Sequence, residues 1–489
     1  MKRTFIFLLI VMISSQLTFA QKSGTVWPMK GLVRCYFAQP IDASFAVDGN
    51  VAIQTPNAIL DSVAGYISRA KKTVDICQYE YETFSGDQIG PALNAAAARG
   101  VKIRYIDDYS QTSAGNNTGV TALSSSIYKE TSPSSASGIT HNKFVIVDET
   151  YYDSTKAFVV TGSPDWDKDM NTGDYNNIII FQSKQLAKAY TSEFNIMWGD
   201  TTHGAAANTS LAKFGSAKPS WGSQHAFNIG GSIVDLYFSP TDGVETNVIQ
   251  PTIASANIDC YCGMFTFSES TAATDLVNQK TAGATVYAIL DQYSSGGEAA
   301  YSTLQTDLGA HFADNPSSSS YIYHNKYLIV NPSAPCDDPK VLTGSHNWTS
   351  SANSDNDENT VVVHNDTIAR FYLQSFAGDF KTLKPATLAT VADPCGTLGV
   401  KELSIADGGI SIYPNPAAEG TTVYLNINPL VKLNNATLTM YNVMGDKRYE
   451  SPVSNQHNII NCSAQAKGMY FYQLVNDGSV IKTGKLLIQ

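Results

Sequence analysis

The first third of the chain alternates between helical and strand-like hydrophobic patterns. Apolar residues at helical spacing between 59 and 70 lead into the β-branched run Thr73–Cys77. A second apolar stretch ends at Gly100, where a helix-ending glycine belongs, and the strand-like run Val101–Asp108 follows. This order of elements predicts an α/β unit that contains parallel strands.

The same pattern returns later in the chain. Strand-like runs at Ile258–Cys262 and Ala284–Asp291 flank a helical stretch that ends at Gly283. The repetition predicts two related α/β lobes. Three landmarks recur at an offset of 183 positions, namely Gly100 with Gly283, Cys77 with Cys260, and His141 with His324.

The C-terminal pattern is different. After Lys384 the helical period is lost, and short alternating strands are predicted at Thr422–Leu425, Thr437–Tyr441 and Met469–Leu474. These indicate a small all-β sandwich. The expected organisation is a signal peptide at 1–20, a first lobe at 21–202, a linker at 203–220, a second lobe at 221–395, a linker at 396–408 and the β-sandwich at 409–489.

The N-terminus has the order of a secretory signal peptide. The basic segment Met1–Arg3 precedes an apolar run from Phe5 to Ile13, and small residues precede Gln21. This order predicts cleavage after Ala20 and export from the cytoplasm.

Composition narrows the function. The net charge of −11 disfavours broad electrostatic capture of nucleic acid, although the local field of a cleft can oppose the average. No cysteine or histidine spacing indicates a zinc site, and Cys260 and Cys262 are expected to be buried thiols. The odd set of seven cysteines defines no disulfide framework: Cys35, Cys77, Cys260, Cys262, Cys336, Cys395 and Cys462.

Two copies of one motif carry the candidate chemistry. His141-Asn142-Lys143 opens an apolar run that ends at Asp148, and the sequence Thr-Gly-Ser follows at 161–163. The second copy has His324, Lys326 and Asn331, with Thr-Gly-Ser at 343–345 and then Asp357-Glu358-Asn359. Since strand side chains alternate, each histidine and its lysine are expected on one face. An ammonium can neutralise the oxygens of an anionic phosphoryl group, and an imidazole beside it can attack phosphorus or donate a proton.

This arrangement resembles the phospholipase D superfamily, whose motif is H-x-K-(x)4-D followed by G-S-x-N and a later acidic residue. The resemblance covers about 31–383 and includes both halves. It implies one catalytic unit of two pseudo-symmetric α/β sandwich lobes, which is expected to be a monomer. It also implies metal-independent phosphodiester cleavage, without a cofactor, in which one histidine attacks phosphorus and the other protonates the leaving oxygen.

Residue roles follow from the resemblance. The catalytic set is His141, Lys143, His324, Lys326, Asn347 and Glu358, and the supporting set is Asp148, Ser163, Asp165, Asn331 and Ser345. Three positions depart from the family. Asp165 replaces the phosphate-contacting Asn, Asn331 replaces the Asp, and Asn176 is the first-half residue that corresponds to Glu358.

Glu358 is expected to orient the histidine of its own half, which slightly favours His324 as the nucleophile and His141 as the proton shuttle; the opposite assignment stays open. An ionised Asp165 would repel a phosphate, so it is expected to be protonated, turned away or a cause of reduced activity. Asp148 and Asn331 can be structural or touch substrate. Packing is expected for Trp166 and Trp348, and capping for Asp108 and Asp291.

The tail resembles the C-terminal sorting domain of the type IX secretion system of Bacteroidetes. The motifs are Tyr413-Pro414-Asn415-Pro416, Gly468-Met469-Tyr470 and Gly484-Lys485-Leu486. The resemblance implies a partner in the export machinery, removal of the tail, and a secreted or cell-surface location. An adhesive or carbohydrate-binding β-sandwich is the alternative.

Three functions remain open. The first is a secreted phospholipase D-type hydrolase acting on a phospholipid. The second is a secreted nuclease of the same superfamily. The third is a degenerate phosphate-binding surface protein without turnover, suggested by the departures at Asp165, Asn176 and Asn331.

Overall fold

The structure is a computed structural model. It describes residues 31–220, 225–392, 395, 410–413, 415, 417, 423–427, 433–453, 457–462, 465–477 and 479–488. The predicted signal peptide therefore lies outside the described residues.

The first lobe is built on a mixed eight-stranded sheet. Its spatial order is β2-β1-β8-β7-β6-β3-β4-β5. The pairs β3–β4, β4–β5 and β1–β2 are parallel and the others are antiparallel. The strands are β1 (Val33–Phe37), β2 (Ile53–Gln54), β3 (Thr73–Gln78), β4 (Lys102–Asp107), β5 (Tyr128–Thr131), β6 (Lys143–Val147), β7 (Phe158–Gly162) and β8 (Asn177–Phe181).

Helices cover this sheet. The predicted amphipathic stretch forms a helix, and Gly100 has a positive φ of 89° directly after the second helix, which supports its assignment as the helix-ending residue. The helices are α1 (Ile59–Ser68), α2 (Ile89–Ala98), α3 (Tyr109–Ala114), α4 (Thr118–Ala122), α5 (Lys168–Thr172) and α6 (Lys184–Trp198).

The second lobe repeats the plan. Its sheet has the order β13-β12-β11-β14-β15-β16-β10-β9. The strands are β9 (Ala226–Ile229), β10 (Ser232–Ser239), β11 (Asp259–Met264), β12 (Thr285–Asp291), β13 (Phe312–Asn315), β14 (Lys326–Val330), β15 (Lys340–Gly344) and β16 (Glu358–His364); the α-helices are α7 (Gln250–Ala254), α8 (Ser270–Ala282), α9 (Gln292–Ser295), α10 (Ala299–Leu308), α11 (Ser350–Ser354) and α12 (Asp366–Leu383).

Seven strands of the two sheets correspond in order, and this confirms the predicted duplication. The edge strands differ, because β2 follows β1 and pairs with it in parallel, whereas β9 precedes β10 and pairs with it antiparallel. One landmark of the 183-residue offset was nevertheless wrong. Val74 pairs with Val147 in the first lobe and Cys260 pairs with Val330 in the second, so Cys260 is the counterpart of Val74 rather than of Cys77. The cysteine match is accidental, because the connection from β3 to the helix α2 is longer than the equivalent connection from β11 to α8.

One hydrophobic core joins the lobes. It contains Cys35 and Phe37 from β1, Tyr261 from β11 and Phe376 from α12, all buried. Separate cores lie between each sheet and its outer helices. The two lobes therefore share one interior, which fixes the ends of their strands relative to each other.

The segment 203–220, predicted as a simple linker, packs into this body. Phe214 and Lys218 are buried. The Nζ atom of Lys218 lies 2.5 Å from Glu193 of α6 and 2.7 Å from Asp357, which precedes β16. The segment thus ties the first lobe to the strand that carries Glu358.

The C-terminal region is all-β, as the sequence predicts. A three-stranded sheet has the order β17-β18-β21 and a four-stranded sheet the order β20-β19-β22-β23, both antiparallel. Their strands are β17 (Ile410–Tyr413), β18 (Val423–Ile427), β19 (Ala436–Asn442), β20 (Lys447–Val453), β21 (His457–Ile460), β22 (Gly468–Asn476) and β23 (Ser479–Ile488).

Cys336 and Cys395 form a disulfide, a pairing that the sequence left open. Cys260 and Cys262 are buried free thiols, as predicted. No helix in the described part of the chain is both long and apolar enough to cross a membrane.

Candidate active site

The two motif histidines lie at equivalent places, two residues before β6 and β14. His141 is 6% exposed and His324 is 3% exposed. Carboxylates at the ends of β4 and β12 bind the backbone of the residue before each histidine, Thr140 or Tyr323. Asp108 accepts a hydrogen bond of 2.7 Å from the backbone N–H preceding His141, and Asp291 does the same before His324.

These two carboxylates also cap the helices that follow them. Asp108 accepts from the backbone N–H of Ser110 and Asp291 from that of Ser294. The predicted capping role is therefore present. Their second oxygens add a positioning role that the sequence did not indicate.

Each histidine is oriented by a residue of the opposite lobe. The Nδ1 atom of His141 lies 2.9 Å from both carboxylate oxygens of Glu358. The Nδ1 atom of His324 lies 3.3 Å from the side-chain oxygen of Asn176. The expectation that Glu358 serves His324 in its own half was wrong, because the two strand ends cross the lobe interface before they meet the imidazoles.

The serines of the two Gly-Ser elements hold these orienting residues. Ser345 donates to Glu358 at 2.5 Å, and Ser163 donates to Asn176 at 2.7 Å. Glu358 also receives a bond of 3.4 Å from the amide of Asn356. Each serine therefore affects a histidine only through the residue that orients that histidine.

Protonation within the His141–Glu358 pair follows from burial. Desolvation, followed by the nearby ammonium groups of Lys143 and Lys326, lowers the pKa of His141 well below its usual value. Desolvation raises the pKa of Glu358 to about 8. Both shifts favour the uncharged forms of the two side chains near neutral pH. The two donors that point at Glu358 oppose its shift and favour the carboxylate form, and a carboxylate 2.9 Å from Nδ1 places the ring proton of the neutral imidazole on Nδ1.

The two lysines have different surroundings. Lys143 forms an ion pair with Asp165 in its own lobe. Lys326 donates at 2.8 Å to the backbone oxygen of His324. Desolvation, and then the charge of Lys143, lowers the pKa of Lys326 well below its usual value. Two lysines from separate motifs at one buried site are suited to bind an anionic group.

Asp165 is 4% exposed and points into the site. Besides its ion pair with Lys143, its Oδ2 atom lies 4.0 Å from Nε2 of His324. The amide of Gln78 donates to Oδ1 at 3.3 Å. Asp165 is therefore not turned away, as one expectation had it, and it connects the lysine of one motif with the histidine of the other.

Two aromatic residues that the motif analysis missed line the site. Tyr79 and Phe265 follow β3 and β11, and their ring centroids lie 5.0 Å and 4.7 Å from those of His141 and His324. Each ring also covers the lysine of its own lobe, at 5.1 Å and 4.8 Å. The correct strand register would have revealed this pair as equivalent positions.

The remaining predicted residues divide into two groups. Asn347 is half-buried beside the Gly-Ser element, where its side-chain oxygen accepts from the backbone N–H of Thr266 at 3.3 Å. Asp148 and Asn331 lie at the far ends of β6 and β14, about 20 Å along the strand from the histidines. Both have positive φ, and their side chains accept backbone N–H groups of the adjacent loop, so they are structural.

The two tryptophans pack, as predicted. Trp166 is 3% exposed against Tyr81, and Trp348 is fully buried against Phe267. Among the described residues, no cluster of His, Cys, Asp and Glu side chains has the geometry to hold a metal ion.

Family models match both parts of the chain. Residues 63–198 and 249–380 match the model described as cardiolipin synthase, PLD-like domain. Residues 411–489 match a secretion system C-terminal sorting domain. The two matches confirm the resemblances inferred from the motifs.

Curated relatives are similar over one part of the chain. A mitochondrial cardiolipin hydrolase of Xenopus tropicalis is 29% identical over 130 residues, which are 27% of this chain and 56% of the relative. A phospholipase D of Rickettsia conorii is 30% identical over 145 residues, 30% of this chain and 68% of the relative. The chain thus spans little more than half of the first relative and about two thirds of the second.

Among solved structures, phosphatidylserine synthase of Haemophilus influenzae is similar with a TM-score of 0.47 and 10% identity, over 65% of this chain and 83% of that one. The phospholipase D family member Nuc of Salmonella typhimurium has a TM-score of 0.27 and 23% identity, over 33% of this chain and 99% of that one.

Proposed function

This chain belongs to the phospholipase D-like family, and from that membership we propose that it is an exported phosphodiesterase that hydrolyses a phospholipid through a phosphohistidine intermediate, without a metal ion. One observation carries the proposal. Two buried histidines from separate motifs each have an orienting partner from the opposite lobe, and Asp165 links the two motifs because it pairs with Lys143 and lies 4.0 Å from Nε2 of His324.

The geometry favours His141 as the nucleophile. Its Nδ1 is engaged by Glu358, which leaves the lone pair on Nε2 to attack phosphorus, and burial keeps the ring neutral. The P–O bond to the alcohol breaks as the new P–N bond forms. Glu358 then stabilises the positive charge that develops on the imidazole.

His324 fits the role of general acid and base. Its Nδ1 faces the neutral oxygen of Asn176. Burial, and then the ammonium groups of Lys326 and Lys143, lowers the pKa of His324 well below its usual value, so the negative charge of the bound phosphate has to supply what favours the protonated ring. Nε2 gives its proton to the departing alkoxide oxygen. It next takes a proton from water, which attacks phosphorus and releases His141.

The charge around the cleft supports a single phosphodiester rather than a polyanion. Tight binding of nucleic acid needs several cations along the backbone. The two site lysines are buried, and one is paired with Asp165. Glu80 and Asp167 lie near Asp165, and burial together with its charge raises their pKa values to about 7 and about 6. The names of the relatives, cardiolipin hydrolase and phospholipase D, also favour a lipid substrate.

The main alternative function is phosphate binding without turnover, because Asp165 already pairs with Lys143, one of the two lysines that would hold the phosphate. The nuclease is the second rival. Both can be tested with the same set of assays.

The test measures hydrolysis of phosphatidylcholine vesicles, single-stranded DNA and duplex DNA in the presence of a chelator. We expect turnover of the lipid that is abolished in His141→Ala and in His324→Ala. His311→Ala is the control, since that ring stacks on Tyr287 outside the cleft. Cleavage of DNA alone would make the protein a nuclease, and absence of turnover on all three substrates would support the binding protein.

The proposed division of labour assigns 21–395 to catalysis and 409–489 to sorting. The matched sorting domain supports export to the cell surface or medium through a secretion machinery. Removal of 409–489 is expected to leave active enzyme inside the outer membrane, which cell fractionation would reveal. Normal surface delivery of the shortened chain would contradict this role.

A further inference from the structure

Asp165 holds a carboxylate where an incoming phosphate would bind. It is paired with Lys143, and its other oxygen lies 4.0 Å from Nε2 of His324. Those are the two groups that, under the proposed function, contact the phosphate oxygens and the leaving group. The carboxylate is nearly inaccessible to water, so its charge is weakly screened there.

The second lobe has no such charge at the matching position. Asn347 follows the second Gly-Ser element as Asp165 follows the first. Its amide is neutral, and Lys326 donates to the backbone oxygen of His324. Lys143 therefore has a carboxylate within hydrogen-bonding distance, whereas Lys326 has a neutral acceptor there.

A fixed negative charge beside the site repels ligands in proportion to their own charge. A phosphodiester carries one negative charge, whereas a phosphomonoester carries nearly two at pH 8. We propose that Asp165 determines specificity by penalising doubly charged phosphomonoesters, so that the cleft accepts the diester substrate and releases the monoester product. The inference rests on the proposed function only in taking this cleft as the phosphate site.

The test compares two ligands by calorimetric binding to the full chain at pH 8. Inorganic phosphate is the dianionic probe and diethyl phosphate is the monoanionic probe. In Asp165→Asn, we expect the affinity for phosphate to rise about tenfold or more and that for diethyl phosphate to rise much less. The ratio of the two affinities is the decisive quantity.

Two further variants complete the design. Asp153→Asn keeps a side-chain oxygen that accepts from the backbone N–H of Thr155 and lies beyond Asp148 at the far end of β6, so it should leave the ratio unchanged. Asn347→Asp places a carboxylate at the matching position and should weaken phosphate binding more than diester binding. If Asp165→Asn does not fold, the ratio in Asn347→Asp alone decides whether a carboxylate at this site discriminates by ligand charge.

The outcomes separate this inference from the proposed function. An unchanged ratio in Asp165→Asn, with both ligands bound, would reduce Asp165 to a structural counter-ion of Lys143 and overturn the inference alone. If neither ligand binds any variant, or if His141→Ala and Lys326→Ala leave the affinity for both ligands unchanged, this cleft is not a phosphate site. That result would overturn both proposals.

Discussion

His141 and Glu358, 217 positions apart in the chain, meet across the lobe interface with Nδ1 2.9 Å from both carboxylate oxygens. The orienting group of each histidine thus belongs to the other lobe. It follows that neither lobe contains a complete catalytic centre, although each contains its own histidine and lysine. The same contact favours His141 as the nucleophile of the proposed mechanism, because it gives this histidine the carboxylate partner.

Replacement of Glu358 by Gln tests this contact. The variant keeps the size of the side chain but loses the charge that stabilises a positively charged phosphoimidazole, so kcat should fall by about 10³-fold. The measurement is steady-state hydrolysis of bis-p-nitrophenyl phosphate. Glu269→Gln is the control, because Glu269 contacts Asn353 away from the histidines. Equal rates for the two variants would contradict an orienting role for Glu358.

Trapping of the covalent intermediate tests the role of each histidine. In His324→Asn, bis-p-nitrophenyl phosphate should release about one equivalent of nitrophenol and then stop, because this leaving group needs no proton but the second step needs a base. Mass spectrometry should locate the phosphoryl group on His141. His141→Asn should give no burst. A burst and a label on His324 in that variant would restore the opposite assignment.

The buried ammonium of Lys218 is predicted to hold the site together. Lys218→Met would leave Glu193 and Asp357 buried without their cation, and such a loss costs about 3–5 kcal/mol of unfolding free energy. The exposed Lys213, in the same segment, supplies the control Lys213→Met. Denaturant titration of the two variants measures the difference, and equal unfolding midpoints would rule out a stabilising triad.

The buried carboxyl group of Asp379 is expected to make the unfolding free energy depend on pH. Burial raises its pKa well above the usual value, so the folded chain retains a proton that the unfolded chain releases above about pH 4. The unfolding free energy then falls as pH rises, by at most about 1.4 kcal/mol per unit, until the folded-state pKa is passed. Asp379→Asn removes this slope. Its melting temperature should exceed that of the unchanged protein by more at pH 8 than at pH 5, and a gap independent of pH would contradict the assignment.

Much of the fold was predictable because it depends on local pattern. The runs at Thr73–Cys77 and Ala284–Asp291 form strands within one or two residues of the predicted bounds, since β-branched side chains favour a buried extended chain. The duplicated sheets and the all-β tail followed from periodicity in the same way. Register was less secure, as the mistaken match of Cys77 with Cys260 shows, because a loop of different length displaces positions without changing the pattern.

The sequence by itself determined the chemistry of this protein: two histidine–lysine pairs, two Gly-Ser elements and two lobes to carry them, all readable from spacing along the chain. Only the tertiary structure decided which groups act on one another. The pairing of His141 with Glu358, of His324 with Asn176, and of Asp165 with Lys143 depends on how two sheets pack about a shared core. Distance along a chain carries no information about contacts across such an interface, because packing of the whole core sets them.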